Sequence, residues 1–239
     1  MIRYNLALVI FVVVLFACSK ARCPAPVAQT SQKIIVVDSV VVVDSVFVLT
    51  LQPGAADGLD VKITSLAPTE NSAGYNYLAI ETWTVNGSLN IARTLIDFDY
   101  SAIPSGATIV KAVLTLYADT TDDESGGVYP PGHQQHGGGG NSAELNRITS
   151  PWNKQTVTWQ TMPTVDSNTS ISVPASTSAS ETYNIDVSAF VKDQLASPSL
   201  YHGFLIKLVT EEIYNGLYFY SSQDSHTALH PKIVIEYIK

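Results

Sequence analysis

The chain has 239 residues, of which 46% are hydrophobic and 14% charged, and its formal net charge is −8. The acidic balance argues against a nucleic-acid binder, which needs a basic face, and the hydrophobic content argues against disorder. Two cysteines are too few for a disulfide scaffold, while 64 Val, Ile and Thr residues favour β-strands.

The chain begins with features of a targeting segment. Arg3 supplies a positive charge, and an apolar run of twelve residues follows over 6–17. The run is shorter than the roughly 20 residues that a membrane-spanning helix needs, and it is typical of the hydrophobic region of a secretory signal peptide. We therefore predict a signal peptide over residues 1–17. Its removal takes away one cation, Arg3, so the net charge of −8 becomes −9.

The end of this run, Leu15-Phe16-Ala17-Cys18, resembles the lipobox of bacterial lipoproteins. The resemblance implies that the Cys18 thiol is acylated and that cleavage makes Cys18 the mature N-terminus. Ser19 implies the outer membrane, with the domain on its periplasmic or cell-surface face. Acyl chains would hold the chain on a membrane, because each buried methylene contributes about 0.8 kcal/mol. The alternative is a plain signal peptide with an incidental cysteine.

Two segments separate the signal peptide from the main domain. Residues 18–33 are rich in Ser, Ala, Pro and Gln, a composition that predicts a flexible tether. Residues 34–48 hold a near-repeat, Val-Val-Asp-Ser-Val-Val followed by Val-Val-Asp-Ser-Val-Phe. Its β-branched residues favour strands. We expect either strands paired with the edge of the domain or a linker that a partner orders.

From residue 49 onward, short runs of alternating apolar and polar residues are separated by Gly, Pro, Asn, Asp and Ser. This pattern is typical of β-strands joined by turns. The predicted strands are Val61–Thr64, Asn76–Trp83, Ile91–Asp99, Thr108–Ala118, Glu144–Thr149, Thr156–Trp159, Thr182–Ile185, Gly203–Val209, Leu217–Ser221 and Lys232–Ile238. Apolar residues occupy both faces of 108–118, which predicts a central position for that strand.

One short helix is predicted after Asp186, which can cap it, and Pro198 ends it. Many short strands with a single helix predict an all-β fold. The expected architecture is an antiparallel β-sandwich, jelly-roll-like, formed by one domain over residues 49–239.

Five segments of this domain form an ordered series over 50–60, 93–117, 147–159, 185–207 and 219–235. They include Arg93-Thr-Leu-Ile-Asp-Phe-Asp-Tyr and Thr156-Val-Thr-Trp. The series resembles the DNRLRE (disaggregatase-related) family of carbohydrate-binding β-sandwich modules, some of which bind alginate. Lys154 and Gln223 depart from the family pattern, which has Glu and often an acidic residue at these positions. The resemblance implies a β-sandwich that binds polysaccharide.

Aromatic residues are the first candidates for sugar binding, because flat rings stack on the apolar faces of pyranose rings. Tyr75, Tyr77 and Trp83 lie in or beside one predicted strand, and Tyr77 and Trp83 share a face if that strand is regular. They are candidates for a stacking platform, and packing in the core or at its rim is the alternative for each. Trp152 and Trp159 lie in a motif of the resembled family, and we assign them to the core.

Arg93 is the candidate for polar recognition, because a guanidinium fits a carboxylate in a fork. The alternative is that it pairs with Asp97 or Asp99 on its own strand face. A domain with a net charge of −9 repels polyanions at long range, so a neutral glycan fits at least as well as a uronate polymer.

Several His and Asp residues lie close enough together in the sequence to be candidate metal ligands. His133 and His136 are three residues apart in a Gly-rich loop, whereas zinc sites use three or four such ligands. Asp57 and Asp60 could contribute oxygens to a structural calcium, as could the acidic residues at 122–124. Solvated loop histidines are the alternative for the histidine pair, and none of the acidic residues has the spacing of a known calcium loop.

The sequence has no G-x-S-x-G, H-E-x-x-H or P-loop motif, so we expect a protein without catalytic activity. The leading hypothesis is a membrane-anchored cell-envelope lipoprotein whose sandwich binds a polysaccharide or other glycan. One alternative is a structural or adhesive envelope protein that binds another protein through the sandwich and the Val-rich segment. The other is a polysaccharide-cleaving enzyme with two carboxylates across a cleft.

Overall fold

The computed structural model describes residues 29–37, 40–121 and 132–239, with side chains from residue 45 onward. The strands are β1 (Gln29–Val37), β2 (Val40–Leu51), β3 (Leu59–Thr64), β4 (Tyr77–Val85), β5 (Ser88–Asp97), β6 (Thr108–Leu116), β7 (Gln134–Gln135), β8 (Ala143–Ile148), β9 (Val165–Val173), β10 (Tyr183–Asp186), β11 (Phe204–Leu208), β12 (Asn215–Tyr220) and β13 (Lys232–Ile238). The helix is α1 (Ser188–Ala196), and a 3-10 turn covers Thr227–Leu229.

The strands form two sheets. The first has the order β1-β2-β13-β6-β10, and the second has the order β7-β12-β4-β5-β11-β8-β9, with β3 also paired to β5. Every pairing between these strands is antiparallel. The predicted all-β antiparallel sandwich with one short helix is confirmed. The predicted central position of 108–118 is also confirmed, because β6 lies between β13 and β10.

The main core lies between the two sheets, because both contribute side chains to one cluster. Leu114 of β6 and Ile235 of β13 come from the first sheet. Leu78 of β4, Phe204 of β11 and Phe219 of β12 come from the second sheet, and all five side chains are at most 1% exposed. Burial of such side chains supplies the main driving force for the sandwich.

A second, smaller cluster is formed by Val61, Ile63, Leu95, Ile148 and Leu205 together with residues of the loop between β8 and β9. Trp152 and Trp159 are half-buried in that loop and pack against this cluster. They therefore contribute to core packing, as assigned from the sequence.

Each predicted strand except Thr156–Trp159 has a counterpart in the structure. The prediction for 156–159 was wrong. The amides of Thr156 and Val157 both donate to the carbonyl of Asn153, which makes this segment a turn. Strand β9 was not predicted, because its middle residues are polar. It lies at the edge of the second sheet, where those residues are exposed.

Helix α1 begins at Ser188, with Val187 at the N-cap position, one residue later than the predicted capping residue Asp186. Asp186 still contributes at this end, since its Oδ1 accepts hydrogen bonds from the Ser188 amide at 2.9 Å and from the Ser188 hydroxyl. The helix ends at Ala196, before Pro198. Phe190 and Val191 on this helix pack into the main core.

The N-terminal strands join the Val-rich segment to the first sheet. β1 and β2 pair along their whole overlap, and residues 47–51 of β2 continue into pairing with β13. β1 begins inside the range 18–33 that the sequence analysis gave to a tether, and β2 crosses the predicted domain boundary at residue 49. The Phe47 ring stacks on Tyr237, with ring centroids 5.5 Å apart.

The predicted signal peptide over 1–17, the lipidation site Cys18, the tether up to residue 28 and the acidic residues 122–124 lie outside the described residues. Within the described ranges, no helix has the length and apolar character needed to cross a membrane.

Candidate functional site

Trp83, at the C-terminal part of β4, belongs to an accessible aromatic cluster with Tyr214 and His136. The Trp83 and Tyr214 rings meet edge to face, with centroids 5.2 Å apart and planes at 80°. The Trp83 and His136 rings also meet edge to face, at 6.2 Å. Trp83 is half-buried, His136 is exposed and Tyr214 is 39% exposed. We name these three residues the aromatic platform.

The backbone of Tyr214 is held in an unusual conformation. Its φ is 66°, in the left-handed region where a bulky residue is strained. Its neighbours fix this conformation: the Tyr214 amide donates to the Thr82 carbonyl at 2.8 Å, and its carbonyl accepts from the His136 amide at 2.9 Å. Strained backbone that the surroundings hold in place is concentrated at functional sites. In this conformation the Tyr214 ring lies against Trp83.

The predicted candidates Tyr75 and Tyr77 lie together at the start of β4, whereas Trp83 lies toward its end. Their rings meet edge to face, with centroids 5.8 Å apart. The Nζ of Lys62 on β3 lies over both rings, 4.0 Å from the Tyr75 centroid and 3.5 Å from that of Tyr77. Each ring therefore has one face occupied by an ammonium group, although the Tyr75 side chain remains 47% exposed.

A buried carboxylate lies between these two groups on the same face of β4. Glu81 is 2% exposed and accepts hydrogen bonds from Asn90 Nδ2 at 2.8 Å and from the Tyr218 hydroxyl. Burial raises the pKa of Glu81 to about 7, against the opposing effects of Tyr218, Lys62 and Asn90. Burial likewise lowers the pKa of Lys62 to about 7, and attraction to Glu81 opposes that shift.

Arg93 on β5 does not pair with Asp97 or Asp99, which was the expected alternative. Its Nε and Nη2 donate to Oε1 of Glu211 at 3.0 and 2.8 Å. The guanidinium also lies over the Trp159 ring, 4.7 Å from the centroid. Alternation along β5 places Arg93 on the face of Leu95, toward the second cluster. The guanidinium is thus engaged by protein groups.

The predicted calcium ligand Asp60 lies beside an internal cation. The Nζ of Lys154 donates to the Gly58 carbonyl at 2.8 Å and to Ser222 Oγ at 3.2 Å, and it lies 4.0 Å from Asp60 Oδ1. The other oxygen of Asp60 accepts from the Ser222 amide at 2.8 Å. Lys154 is one of the two departures from the resembled family. Its ammonium balances the carboxylate of Asp60, while Asp57 is exposed nearby.

His133 and His136 have different environments, one buried and one exposed. His133 is buried, its Nδ1 accepts from the Tyr218 amide at 3.1 Å, and its Nε2 donates to the Glu181 carbonyl at 2.9 Å. Both nitrogens are therefore used within the protein, and burial lowers the pKa of this imidazole. His136 instead belongs to the aromatic platform. In the part of the chain that the structure describes, no three His, Cys, Asp or Glu residues are grouped as metal ligands.

Comparison with known protein families assigns the domain to a class. The model of carbohydrate-binding module family 96 matches residues 63–237, which is most of the chain, and the chain therefore belongs to this family. The carbohydrate-binding β-sandwich expected from the sequence is confirmed at that level. A search of curated protein sequences found no match.

Proposed function

We propose that this protein is a non-catalytic, membrane-anchored envelope lipoprotein whose sandwich binds polysaccharide through the aromatic platform. The family membership supports carbohydrate binding. The observation that supports this site is the accessible cluster of Trp83, Tyr214 and His136, in which the rings of Tyr214 and His136 both contact that of Trp83. Aromatic faces and edges of this kind pack against the C–H groups of sugar rings.

Neutral glycans are the proposed ligand class. The net charge of −8 opposes the approach of a polyanion, and the Arg93 guanidinium is paired with Glu211. Lys62 is only 8% exposed and lies against two tyrosine rings, so its charge is poorly placed to meet a uronate carboxylate. The platform itself consists of rings, which recognise sugar shape rather than charge.

Affinity electrophoresis of the full-length chain in gels containing neutral or uronate polysaccharides tests the binding function. We expect retention by a neutral polysaccharide, and we expect Trp83→Ala and Tyr214→Ala each to weaken it about tenfold, since a lost stacking contact costs about 1.5 kcal/mol. Leu200→Ala is the control, because Leu200 is an exposed apolar residue, 57% accessible, outside the platform. Absence of retention on every polysaccharide, or unchanged retention of both platform variants, would contradict the proposal.

Anchoring is tested separately. Metabolic labelling with a radioactive fatty acid should label the wild-type chain and should not label Cys18→Ser, because the serine variant lacks the thiol that is acylated. Cell fractionation should then place the wild type in the membrane fraction and the variant in the soluble fraction. Cys23→Ser is the matched control and should behave as the wild type. Labelling that survives the Cys18 substitution would contradict the lipoprotein assignment.

A second candidate function rests on the sheet edge. Among the described strands, β1 is the outermost of the first sheet, and its last four residues, 34–37, begin the Val-rich segment. Edge strands pair readily with a strand of another chain. If the protein binds an envelope protein in this way, deletion of residues 29–37 should abolish a stoichiometric complex and leave polysaccharide retention intact. A complex that persists without these residues would contradict this second function.

A further inference from the structure

A pocket of about 310 Å³ lies apart from the residues of the aromatic platform. It is formed where β5 ends and β3 begins, between the segments 55–59 and 151–155. Its volume is at the lower end of the range for small-ligand pockets, roughly 300–1,000 Å³. Nothing in the sequence motifs pointed to it, because its walls come from four separate parts of the chain.

One wall of the pocket is apolar and fixed in place. It contains the half-buried indole of Trp152 and the side chain of Leu59, which is 38% exposed. The indole Nε1 donates to the His202 carbonyl at 2.8 Å, and the ring also packs against the second hydrophobic cluster. Trp152 therefore has a packing role on one side and offers aromatic surface to the pocket on the other.

A sugar site also needs a fixed polar group, and in this pocket Asp97 supplies it. Its Oδ1 accepts hydrogen bonds from Gln194 Nε2 at 2.9 Å and from the Phe98 amide at 2.8 Å. Among the described residues, no donor bonds the other oxygen, Oδ2. The backbone of Gly203 packs so closely against Asp97 that a Cβ added to this glycine would lie 2.7 Å from the Cβ of Asp97. The carboxylate is thus held by its surroundings with one oxygen left to accept.

The charge around the pocket selects the ligand class. Asp57, Asp97 and His202 line the pocket. Burial is the main cause that raises the pKa of Asp97; attraction to His202 opposes this shift, and repulsion from Asp99 adds to it. The one lining lysine, Lys154, turns its ammonium to Gly58 and Ser222. Carboxylates accept hydrogen bonds from sugar hydroxyls but repel the carboxylate of a uronate.

We propose that this pocket is a second carbohydrate site, which binds one neutral sugar unit by stacking on Trp152 and by a hydroxyl that donates to Asp97 Oδ2. The inference rests on the proposed carbohydrate-binding function. The pocket would hold a single sugar ring, whereas the aromatic platform suits the surface of a longer polymer. The two sites use different residues, so they can be lost independently.

Calorimetric and NMR titration of the full-length chain with glucose, galactose, mannose and galacturonate tests the pocket. We expect saturable binding of at least one neutral sugar, with amide shifts at 55–59 and 152–155, and no comparable binding of galacturonate. Asp97→Asn should weaken it about tenfold, which corresponds to about 1.4 kcal/mol. Because Asp97 is partly buried, Leu59→Trp is the second variant; it fills the pocket from an exposed position. Leu200→Ala is the control and should leave sugar binding unchanged, because Leu200 is exposed and neither lines the pocket nor belongs to the platform.

The outcomes separate the two proposals. Unchanged affinity in both pocket variants, absence of neutral-sugar binding to the wild type, or tighter binding of galacturonate overturns the pocket assignment. Polysaccharide retention that depends on Trp83 would survive any of these results. Conversely, sugar binding that Leu59→Trp abolishes, together with unchanged retention in the platform variants, supports the pocket and overturns the platform.

Discussion

Lys62 on β3 and Glu81 on β4 are buried groups of opposite charge, and the pKa of each is shifted to about 7. The raised pKa of Glu81 gives a contribution to stability that is present below its unfolded value of 4.5 and is lost as the pH rises to about 7. The lowered pKa of Lys62 gives a contribution that is present above 10.5 and is lost as the pH falls to about 7. The pair therefore supports the fold least near neutral pH.

The first prediction follows from this pair. We compare the free energy of unfolding of the double variant Lys62→Met with Glu81→Gln with that of the wild type. The difference in favour of the variant should be larger at pH 7 than at about pH 5 or pH 9. Urea unfolding at the three pH values measures it. The half-buried ion pair of Lys207 and Glu144, 2.7 Å apart, is more accessible to water and provides a control double variant that should show no such minimum. A difference between wild type and the buried-pair variant that is constant with pH would contradict the prediction.

The second prediction concerns the backbone of Tyr214. Because its φ is 66°, glycine should be tolerated better than alanine here, and we expect Tyr214→Gly to be more stable than Tyr214→Ala by about 1 kcal/mol. Both variants lose the ring and should weaken polysaccharide retention to the same extent, about tenfold. Urea unfolding measures the difference. The same two substitutions at Leu200 are the control, and there alanine should be the more stable by about 0.4–1 kcal/mol. Alanine more stable than glycine at 214 would show that the backbone is not strained.

The sequence predicted the strands whose side chains alternate clearly between core and surface. β13 was predicted with its observed bounds, 232–238, because apolar residues recur at every second position and face the main core. The alternation at 156–159 was misleading, since Val157 and Trp159 pack onto the second cluster from a turn rather than from a strand. β9 escaped prediction for the opposite reason: its middle residues are polar and exposed, and pairing of residues 165 and 170–173 with β8 defines the strand.

The site was predicted only in part. Trp83 could be nominated because aromatic type and strand position are visible in the sequence, but its partner Tyr214 lies 131 residues later in the chain. No local sequence pattern predicts a positive φ at Tyr214, because hydrogen bonds to Thr82 and His136, which are distant in the sequence, hold this conformation. Lys62 was not predicted as part of the site, although the sequence places this charged residue between two apolar residues of a strand, Val61 and Ile63, which are both buried.

The third prediction tests the internal cation. Lys154 and Asp60 are 6% and 4% exposed, so removing the ammonium leaves a buried carboxylate without its compensating charge. We expect Lys154→Met to lower the free energy of unfolding by about 3–5 kcal/mol, and Lys154→Met with Asp60→Asn to recover a large part of that loss. Chemical denaturation measures both. An equal loss in the single and double variants would mean that the packing of the lysine stem, rather than its charge, holds this region.

The fourth prediction concerns where the folded domain begins. The sequence analysis placed the start at residue 49, yet Phe47 lies before it, stacks on Tyr237 and has the Lys239 ammonium over its ring at 4.5 Å. We expect Phe47→Ala to lower the free energy of unfolding by about 1–2 kcal/mol, less than the 3–5 kcal/mol of a fully buried phenylalanine. Val110→Ala is the control, because Val110 is 48% exposed on β6 and should change stability by less than about 0.5 kcal/mol. Thermal or urea unfolding measures both variants. If Phe47→Ala matches the control, β2 before residue 49 adds nothing to the fold, and the boundary expected from the sequence is the correct one.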